Sequence, residues 1–248
     1  YVVPGMQVST QFDTTTGYAE GGYYERIPGF GYRPNPGVYT SRKFASEGDI
    51  IYDVVYTIGD DGYRLDVDGN DFDVFIYGGS FTFGEGLNDN ETLSYYLHQN
   101  HGITTKNVGV HGYGLHQALY NIEQGLTSSE VGGVNVLLTS PWHAARSSCK
   151  PSYSIGTPRY EITSEGIRLV GVCSGGLIKR VLMKSNVVSL VTTALSNNKN
   201  RMTDSDIDLF IAIIREIARL SAENNARLLI AYIDIKVEQM SSTKWSNE

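Results

Sequence analysis

The chain has 248 residues, of which 41% are apolar and 19% charged, and 27 acidic against 20 basic side chains give a net charge of −7. This composition excludes a collagen, a coiled coil and a small disulfide scaffold, and without a basic excess or a Lys/Arg run no nucleic-acid binding is expected. The longest apolar runs, such as Leu228 to Ile233, are far shorter than the roughly 20 residues that a bilayer crossing needs.

Residues 1–70 are predicted to form a β-rich N-terminal extension that packs on a main domain at residues 71–248. Gly and Pro punctuate residues 27–38, and Asp49 to Ile58 is a strand pattern followed by the turn Gly59-Asp60-Asp61-Gly62. This segment therefore leads into the main domain without helices.

The main domain shows short buried strands that alternate with helices. The predicted strands are Asp73 to Tyr77, Lys106 to Val110, Val134 to Thr139 and Arg227 to Ile233, and the predicted helices are 90–100, 115–124 and 204–224. Asp204 is expected to cap the last helix. The pattern predicts an α/β fold, a three-layer α/β/α sandwich around a central parallel sheet, with its ligand site at the carboxyl ends of the strands.

A β-hairpin is predicted to be inserted after the third strand, at about 151–175. Strand-like segments at Arg159 to Thr163 and Ile167 to Val172 flank the turn Ser164-Glu165-Gly166. Cys149 and Cys173 lie near its two ends, and two buried thiols or one disulfide both fit this spacing.

Ser80 follows a buried strand and two glycines, and precedes Phe81-Thr82-Phe83-Gly84-Glu85-Gly86. A serine on a tight strand-to-loop turn presents its hydroxyl at the sheet edge, and the glycines leave backbone amides free for an oxyanion. A phosphate loop is the less favoured alternative, because no Gly-Lys-Ser/Thr follows.

The segment YGGSFTFGEGLNDNETL, from Tyr77 to Leu93, resembles the first block of the SGNH hydrolase (GDSL-like esterase) superfamily, and NVGVHGYG, from Asn107 to Gly114, resembles its second block. The resemblance runs from about Asp49 to Ile233. It implies an SGNH or flavodoxin-like sandwich in which Ser80 is the nucleophile. The amides of Ser80 and Gly112 would stabilise the tetrahedral oxyanion.

Two blocks depart from that family. Gly79 stands where the first block usually has Asp, and the third strand runs into Ser140-Pro141-Trp142-His143-Ala144-Ala145-Arg146 without the usual Asn. His143 and Arg146 occupy that place, where either could donate to an oxyanion or orient an acyl group. The alternatives are a loop histidine and an arginine held in a salt bridge.

The family's last block, Asp-x-x-His, which supplies the general base, has no counterpart here. The five histidines lie at positions 98, 101, 111, 116 and 143. Three explanations stay open: the C-terminal block is incomplete, the base has been lost, or another histidine replaces it. His111 and then His116 are the local substitutes, whereas His98 and His101 are expected to face solvent.

These observations predict a serine-dependent esterase or O-acyltransferase that acts on acyl esters, with acetyl groups on a polysaccharide or another carbohydrate as the leading class. Ser80 would attack the ester carbonyl, and water or a sugar hydroxyl would take the acyl group. The 17 tyrosines suit sugar stacking. The alternative is a degenerate SGNH fold that binds a glycan or a protein partner without catalysis.

The sequence calls for neither cofactor nor metal, because it contains no dinucleotide fingerprint and no cluster with ligand spacing. Glu85 and Asp89 are expected to be solvated loop acids. The resemblance implies a secreted, periplasmic or membrane-anchored protein, with any anchor outside these 248 residues.

Overall fold

The computed structural model describes residues 9–14, 22–45, 48–65, 72–126, 133–174 and 202–233, and for 9–14 only the backbone. The fold and the site below refer to these residues. The C-terminal segment from Asp234 lies outside them.

The described residues before position 66 form strands and turns, as predicted. β1 (Ser9–Thr14), β4 (Gly37–Phe44) and β5 (Ile50–Ile58) make an antiparallel sheet in the order β1-β4-β5. β2 (Tyr24–Ile27) and β3 (Gly31–Pro34) pair with each other. The predicted strand at 49–58 is confirmed as β5.

The main domain contains the predicted parallel sheet. Its strands are β6 (Val74–Gly78), β7 (Thr105–Asn107), β8 (Val134–Thr139) and β11 (Arg227–Tyr232), in the order β11-β8-β6-β7. All three pairings are parallel. The carboxyl ends of β6 and β8 therefore lie side by side, since Gly78 is in register with Leu138.

Five α-helices are described: α1 (Ser80–Phe83), α2 (Leu93–His101), α3 (Leu115–Glu123), α4 (Trp142–Ser147) and α5 (Asp204–Glu223). Two short 3-10 helices lie at Asp89–Glu91 and Ser152–Ser154. The predicted helices correspond to α2, α3 and α5. The short helices α1 and α4 were expected to be loops. Both follow directly on a strand end, where one turn of helix is too short to give a periodic pattern.

Helix α5 begins at Asp204, as predicted, and Thr203 is its N-cap. The Asp206 carboxylate accepts from the Thr203 amide at 2.6 Å and from its hydroxyl at 2.7 Å. Asp204 is the first helical residue, so its prediction as the cap is wrong. A capping box needs an acidic group at the third helical position, and Asp206 occupies it.

The second strand of the sheet is shorter than predicted, because β7 ends at Asn107. The chain still follows β6 beyond that point, since the Val108 amide donates to the Ile76 carbonyl at 2.9 Å. At Gly109, a Cβ would lie 2.5 Å from the Phe83 backbone nitrogen. This close approach brings α1 against the segment that continues β7.

The strands β9 (Pro158–Thr163) and β10 (Gly166–Val172) pair antiparallel and match the two predicted strand segments. Cys149 and Cys173 form a disulfide with their Cα atoms 5.4 Å apart. Of the two alternatives that the spacing allowed, the structure therefore shows the disulfide.

The main core lies between the sheet and helices α3 and α5. Its members are the buried apolar side chains of the strands and of the helix faces that cover them, including Tyr77, Leu115, Leu119, Leu137, Ile213 and Ile217. A second cluster, around Tyr39, Tyr56 and Phe83, joins the N-terminal sheet to α1. Burial of these faces fixes the end of β6, where Ser80 lies.

Candidate active site

Ser80 is the first residue of α1, directly after the end of β6. The turn is tight: a Cβ on Gly78 would lie 2.1 Å from Thr82 Oγ1 and 2.6 Å from the Leu138 carbonyl oxygen. Ser80 is half-buried, and its hydroxyl makes no hydrogen bond to another described residue. A glycine at 78 therefore lets the chain turn so that this hydroxyl stays available.

The second glycine-containing segment runs beside this turn. The Val110 amide donates to the Gly78 carbonyl at 3.4 Å, and the Tyr113 carbonyl oxygen lies 3.3 Å from where a Cβ on Gly79 would be. Within the described part of the chain, the amides of Ser80 and Gly112 donate to no backbone carbonyl. Both amides are therefore free for a ligand.

Gly112 adopts a φ of +79°, which L side chains rarely adopt. A Cβ there would also lie 2.5 Å from the Tyr32 hydroxyl and 3.3 Å from the Tyr153 ring. The Tyr32 hydroxyl is held in place by donating to the His111 carbonyl at 2.7 Å. Both conformation and space require glycine at this position.

His143 is buried on the first turn of α4, with 3% of its surface exposed. Its Nδ1 is 2.9 Å from Thr139 Oγ1, and its Nε2 has no hydrogen-bond partner among the described residues. That Nε2 lies 3.2 Å from where a Cβ on Gly79 would be. The imidazole therefore turns its unpartnered nitrogen toward the residue next to Ser80.

Burial and then the guanidinium of Arg146 lower the pKa of His143 to about 3. A proton on this ring would lose hydration and lie near a cation, so the ring is neutral at physiological pH. A neutral imidazole presents either an N–H donor or a lone pair at Nε2, depending on which group carries the hydrogen between Nδ1 and Thr139 Oγ1.

Arg146 lies one turn after His143 on α4. Its Nη1 donates to the Tyr113 carbonyl at 3.0 Å, and its Nε donates to the Tyr153 hydroxyl at 3.2 Å. Nη1 is also 2.8 Å from where a Cβ on Gly79 would be. No carboxylate among the described residues forms an ion pair with Arg146. The salt-bridge alternative is therefore not seen in the described part of the chain.

A narrow space, too small to hold a water molecule, adjoins Ser80 at the carboxyl end of the sheet. It is lined by Ser80, Phe81, Leu138, Trp142, His143 and Ile233, among others. The Phe81 and Trp142 rings stack with their centroids 5.7 Å apart. Phe81 and Trp142 thus give this space an apolar lining, to which His143 adds an imidazole.

His111 lies in the second cluster and is not brought to the Gly79 turn. Its ring packs on Phe83, with centroids 4.2 Å apart, and on the rings of Tyr23 and Tyr56. Burial lowers the pKa of His111 to about 4, against the opposing charge of Glu85. Its predicted role at the site has no support in this geometry, since the ring packs toward the N-terminal sheet.

His116 is fully buried on α3, and its Nε2 is 3.1 Å from Thr157 Oγ1. That hydroxyl donates its single hydrogen to the Ser154 carbonyl at 2.6 Å, so the Nε2 of His116 must be the donor. Burial and then Arg146 lower the pKa of His116 to about 3. The ring fastens α3 to the segment before β9.

Four other acids and histidines were weighed in the sequence: Glu85, Asp89, His98 and His101. Glu85 accepts from Lys43 at 2.9 Å, and Asp89 accepts from Arg64 and Thr57. These acids bind the N-terminal sheet to the loop after α1, so they are tied in ion pairs rather than solvated as expected. His98 and His101 lie in the last turn of α2, where His101 is exposed as expected but His98 is half-buried.

Three site contacts were not predicted from the sequence: Thr139 on His143, Tyr153 on Arg146 and Tyr32 over Gly112. Thr139 was recognisable, because it precedes His143 by four residues at a strand end. Tyr32 is 80 residues from Gly112, and no local pattern signals that contact. Its position follows only from how β3 packs on the main domain.

The described residues contain no group of three His, Cys, Asp or Glu side chains that could hold a metal ion. Within the same residues, no helix is long and apolar enough to cross a membrane. No model of a known protein family matches the chain, and a search of curated proteins finds no matching sequence.

Proposed function

We propose that the protein is a serine-dependent esterase or O-acyltransferase acting on acyl esters, with acetyl esters of carbohydrates as the leading class. The observation that carries the proposal is the unbonded hydroxyl of Ser80 at the carboxyl end of a central parallel strand, where Ser80 and His143, whose Nε2 has no described partner, line the same space. Nucleophile and oxyanion donors are what acyl transfer requires.

In this reaction the Ser80 Oγ forms a bond to the ester carbonyl carbon, and the carbonyl oxygen takes up the negative charge. The amides of Ser80 and Gly112 donate to that oxygen. The C–O bond to the alcohol then breaks, and the proton from the Ser80 hydroxyl ends on the departing alcohol. Water or a sugar hydroxyl reverses these steps to release the acyl group from Ser80.

His143 takes the place of the family's third-block Asn in this proposal. Its low pKa makes it a weak proton acceptor, whereas a neutral imidazole can donate Nε2–H to an oxyanion. We therefore assign His143 to oxyanion stabilisation. The His143→Gln variant, which keeps an N–H, should retain more turnover than His143→Ala; equal loss in both would favour proton transfer instead.

We propose further that the fold is an SGNH-type three-layer sandwich in which β9 and β10 form an inserted hairpin. The parallel order β11-β8-β6-β7 and the antiparallel β9–β10 pair support it. The Cys149–Cys173 disulfide supports a secreted, periplasmic or membrane-anchored location, because disulfides persist in oxidising compartments.

The deciding experiment is turnover of 4-nitrophenyl acetate, together with intact-mass detection of the acyl adduct. Turnover and adduct should both be present in the unsubstituted chain and in the control Ser164→Ala, which alters an exposed serine in the β9–β10 turn. Both should be lost in Ser80→Ala. Turnover that survives in Ser80→Ala would refute the assignment.

The second candidate is a binding protein of the same fold without catalysis. It is favoured by one observation: no described histidine or carboxylate forms a hydrogen bond to the Ser80 hydroxyl. If a folded chain gives neither turnover nor an adduct with a fluorophosphonate probe, this second candidate replaces the first.

A further inference from the structure

The Arg146 guanidinium is a half-buried cation without a carboxylate partner among the described residues. Other buried or half-buried cations among the described residues are paired with a carboxylate, for example Lys43 with Glu85, Arg64 with Asp89 and Lys150 with Asp206. A guanidinium removed from water loses hydration, and an opposite charge normally compensates this loss. Arg146 is the exception beside Ser80.

Arg146 is nevertheless held firmly. Its Nε and Nη1 each donate to a neutral oxygen, the Tyr153 hydroxyl and the Tyr113 carbonyl. Its Nη2 donates to no described acceptor, and Nη1 carries a second hydrogen. Two neighbouring N–H groups with a fixed orientation form the fork that recognises a carboxylate.

The fork lies beside the residue that precedes the proposed nucleophile. Nη1 lies 2.8 Å from the position of a Cβ on Gly79, the residue before Ser80. Glycine has no side chain, so position 79 supplies no carboxylate to Arg146. Tyr153, which is 48% exposed, borders the same place and also contacts the Gly112 side of the site.

We propose that Arg146, with Tyr153 beside it, binds a carboxylate of the substrate, so that the ester substrates of this protein are anionic. This rests on the proposed function and narrows its substrate class. The carboxylate belongs either to a sugar acid, whose ring would stack on Tyr153, or to a dicarboxylic acyl group attached through its other end. Guanidinium chemistry is the same for both sources.

If Arg146 bound only the reaction oxyanion, its charge would have no partner before the reaction. The oxyanion exists only during the reaction, and the Ser80 and Gly112 amides are free to bind it. The guanidinium is charged at all times, and only a ligand that brings a permanent charge compensates it in the ground state. The two roles differ in a measurable way, because only a carboxylate site discriminates between charged and neutral ligands.

The test is calorimetric binding to the Ser80→Ala chain, which needs no turnover. D-glucuronate is compared with D-glucose for the sugar source, and succinamate with butanamide for the acyl source. We expect one anion to bind at least about 10-fold more tightly than its neutral partner, the range of a charge-assisted hydrogen-bond pair. The preference should weaken between 25 and 300 mM salt, values on either side of ~0.1 M where screening becomes strong.

Arg146→Gln should abolish the preference, whereas the control Arg168→Gln, which alters an exposed arginine on β10, should keep it. Arg146→Lys, which keeps the charge without the fork, should retain part of it. If Arg146→Gln does not fold, the comparison of Arg146→Lys with Arg168→Gln shows whether the preference depends on Arg146. Equal binding of charged and neutral ligands in both pairs, or a preference unchanged by Arg146→Lys and Arg146→Gln, overturns the proposal.

Failure of this inference can be told apart from failure of the proposed function. A Ser80 acyl adduct with no anion preference leaves the esterase standing and removes the carboxylate site. An anion preference without any adduct leaves the Arg146 site standing in a binding protein. Loss of turnover in Arg146→Gln that is equal for neutral and anionic esters assigns Arg146 to the oxyanion and refutes the carboxylate site.

Discussion

Mild acid should destabilise this protein through three buried histidines. The pKa is lowered to about 4 for His111 and to about 3 for His116 and His143, mainly by burial. Although His111 is half-buried as a whole, both of its ring nitrogens are shielded from water. An unfolded histidine titrates near ~6.5. In mild acid the unfolded chain therefore binds protons on these histidines, whereas the folded chain does not.

The direction follows from linkage: between these pKa values the unfolded state binds more protons, so stability is present at higher pH and lost as the pH falls through about 6.5. From pH 7.5 to 5.5 each histidine contributes a loss of about 1.3 kcal/mol, and the three together about 4 kcal/mol. This is a large part of the ~5–15 kcal/mol that stabilises a typical domain.

Carboxylates do not account for a loss in this window. The pKa of Glu85 is lowered from 4.5 and that of Asp206 from 3.8, each by a lysine and other hydrogen-bond donors that outweigh burial. Both therefore take up protons only in stronger acid. Burial raises the pKa of Glu123, which favours the folded state in acid and opposes the histidine effect.

The assay is urea unfolding at pH 7.5, 6.5 and 5.5 with the disulfide intact, followed by tryptophan fluorescence and far-UV circular dichroism. His143→Gln should reduce the pH dependence of the unfolding free energy by about one third, whatever its effect at pH 7.5. A free energy of unfolding that changes by less than about 1 kcal/mol over this range would refute the reasoning.

Three further predictions concern single contacts. Gly112→Ala should lower turnover and destabilise the fold by at least about 1–2 kcal/mol, because φ is +79° and the Tyr32 hydroxyl occupies the space; adding Tyr32→Phe should recover part of the stability in urea unfolding, and no recovery would contradict the steric argument. Arg64→Met should cost about 1–3 kcal/mol by thermal or urea unfolding, since Arg64 is 1% exposed and its loss leaves the Leu87 carbonyl without this donor and Asp89 without its cation, although Thr57 still donates to Asp89; a change below about 0.5 kcal/mol would argue against it. Replacing both cysteines by serine should cost about 2–4 kcal/mol in the same assay, because the disulfide closes a separation of 24 residues, and equal stability under oxidising conditions would mean that the bond contributes nothing.

The parallel sheet was predictable because three of its strands, β6, β8 and β11, lie in short, mostly apolar runs. β8 was predicted at its observed bounds, and β6 and β11 within one residue at each end. The short helices α1 and α4 were not predictable, since each is a single turn or little more and follows a strand end directly. Periodicity needs more residues than either helix has.

The sequence also predicted His111, His143 and Arg146 as site residues, because His111 lies inside the second glycine-containing block and the other two follow the end of the third strand. Only two of them reach the Gly79 turn. His111 is one residue from Gly112, yet its ring packs on Phe83 in the cluster shared with the N-terminal sheet. Adjacency in sequence does not decide the direction of a side chain when the backbone turns at a positive φ.

By itself, the sequence determined the strand order along the chain, the placement of Ser80 at a strand end and the helices with long apolar stripes, because these depend on neighbours within a few residues. Tertiary structure alone decided that Cys149 bonds Cys173, that Tyr32 covers Gly112 and that Arg146 turns to Gly79 with no described carboxylate. These contacts join segments 24 to 80 residues apart. Packing of whole elements against one core brings such segments together, and no local pattern encodes it.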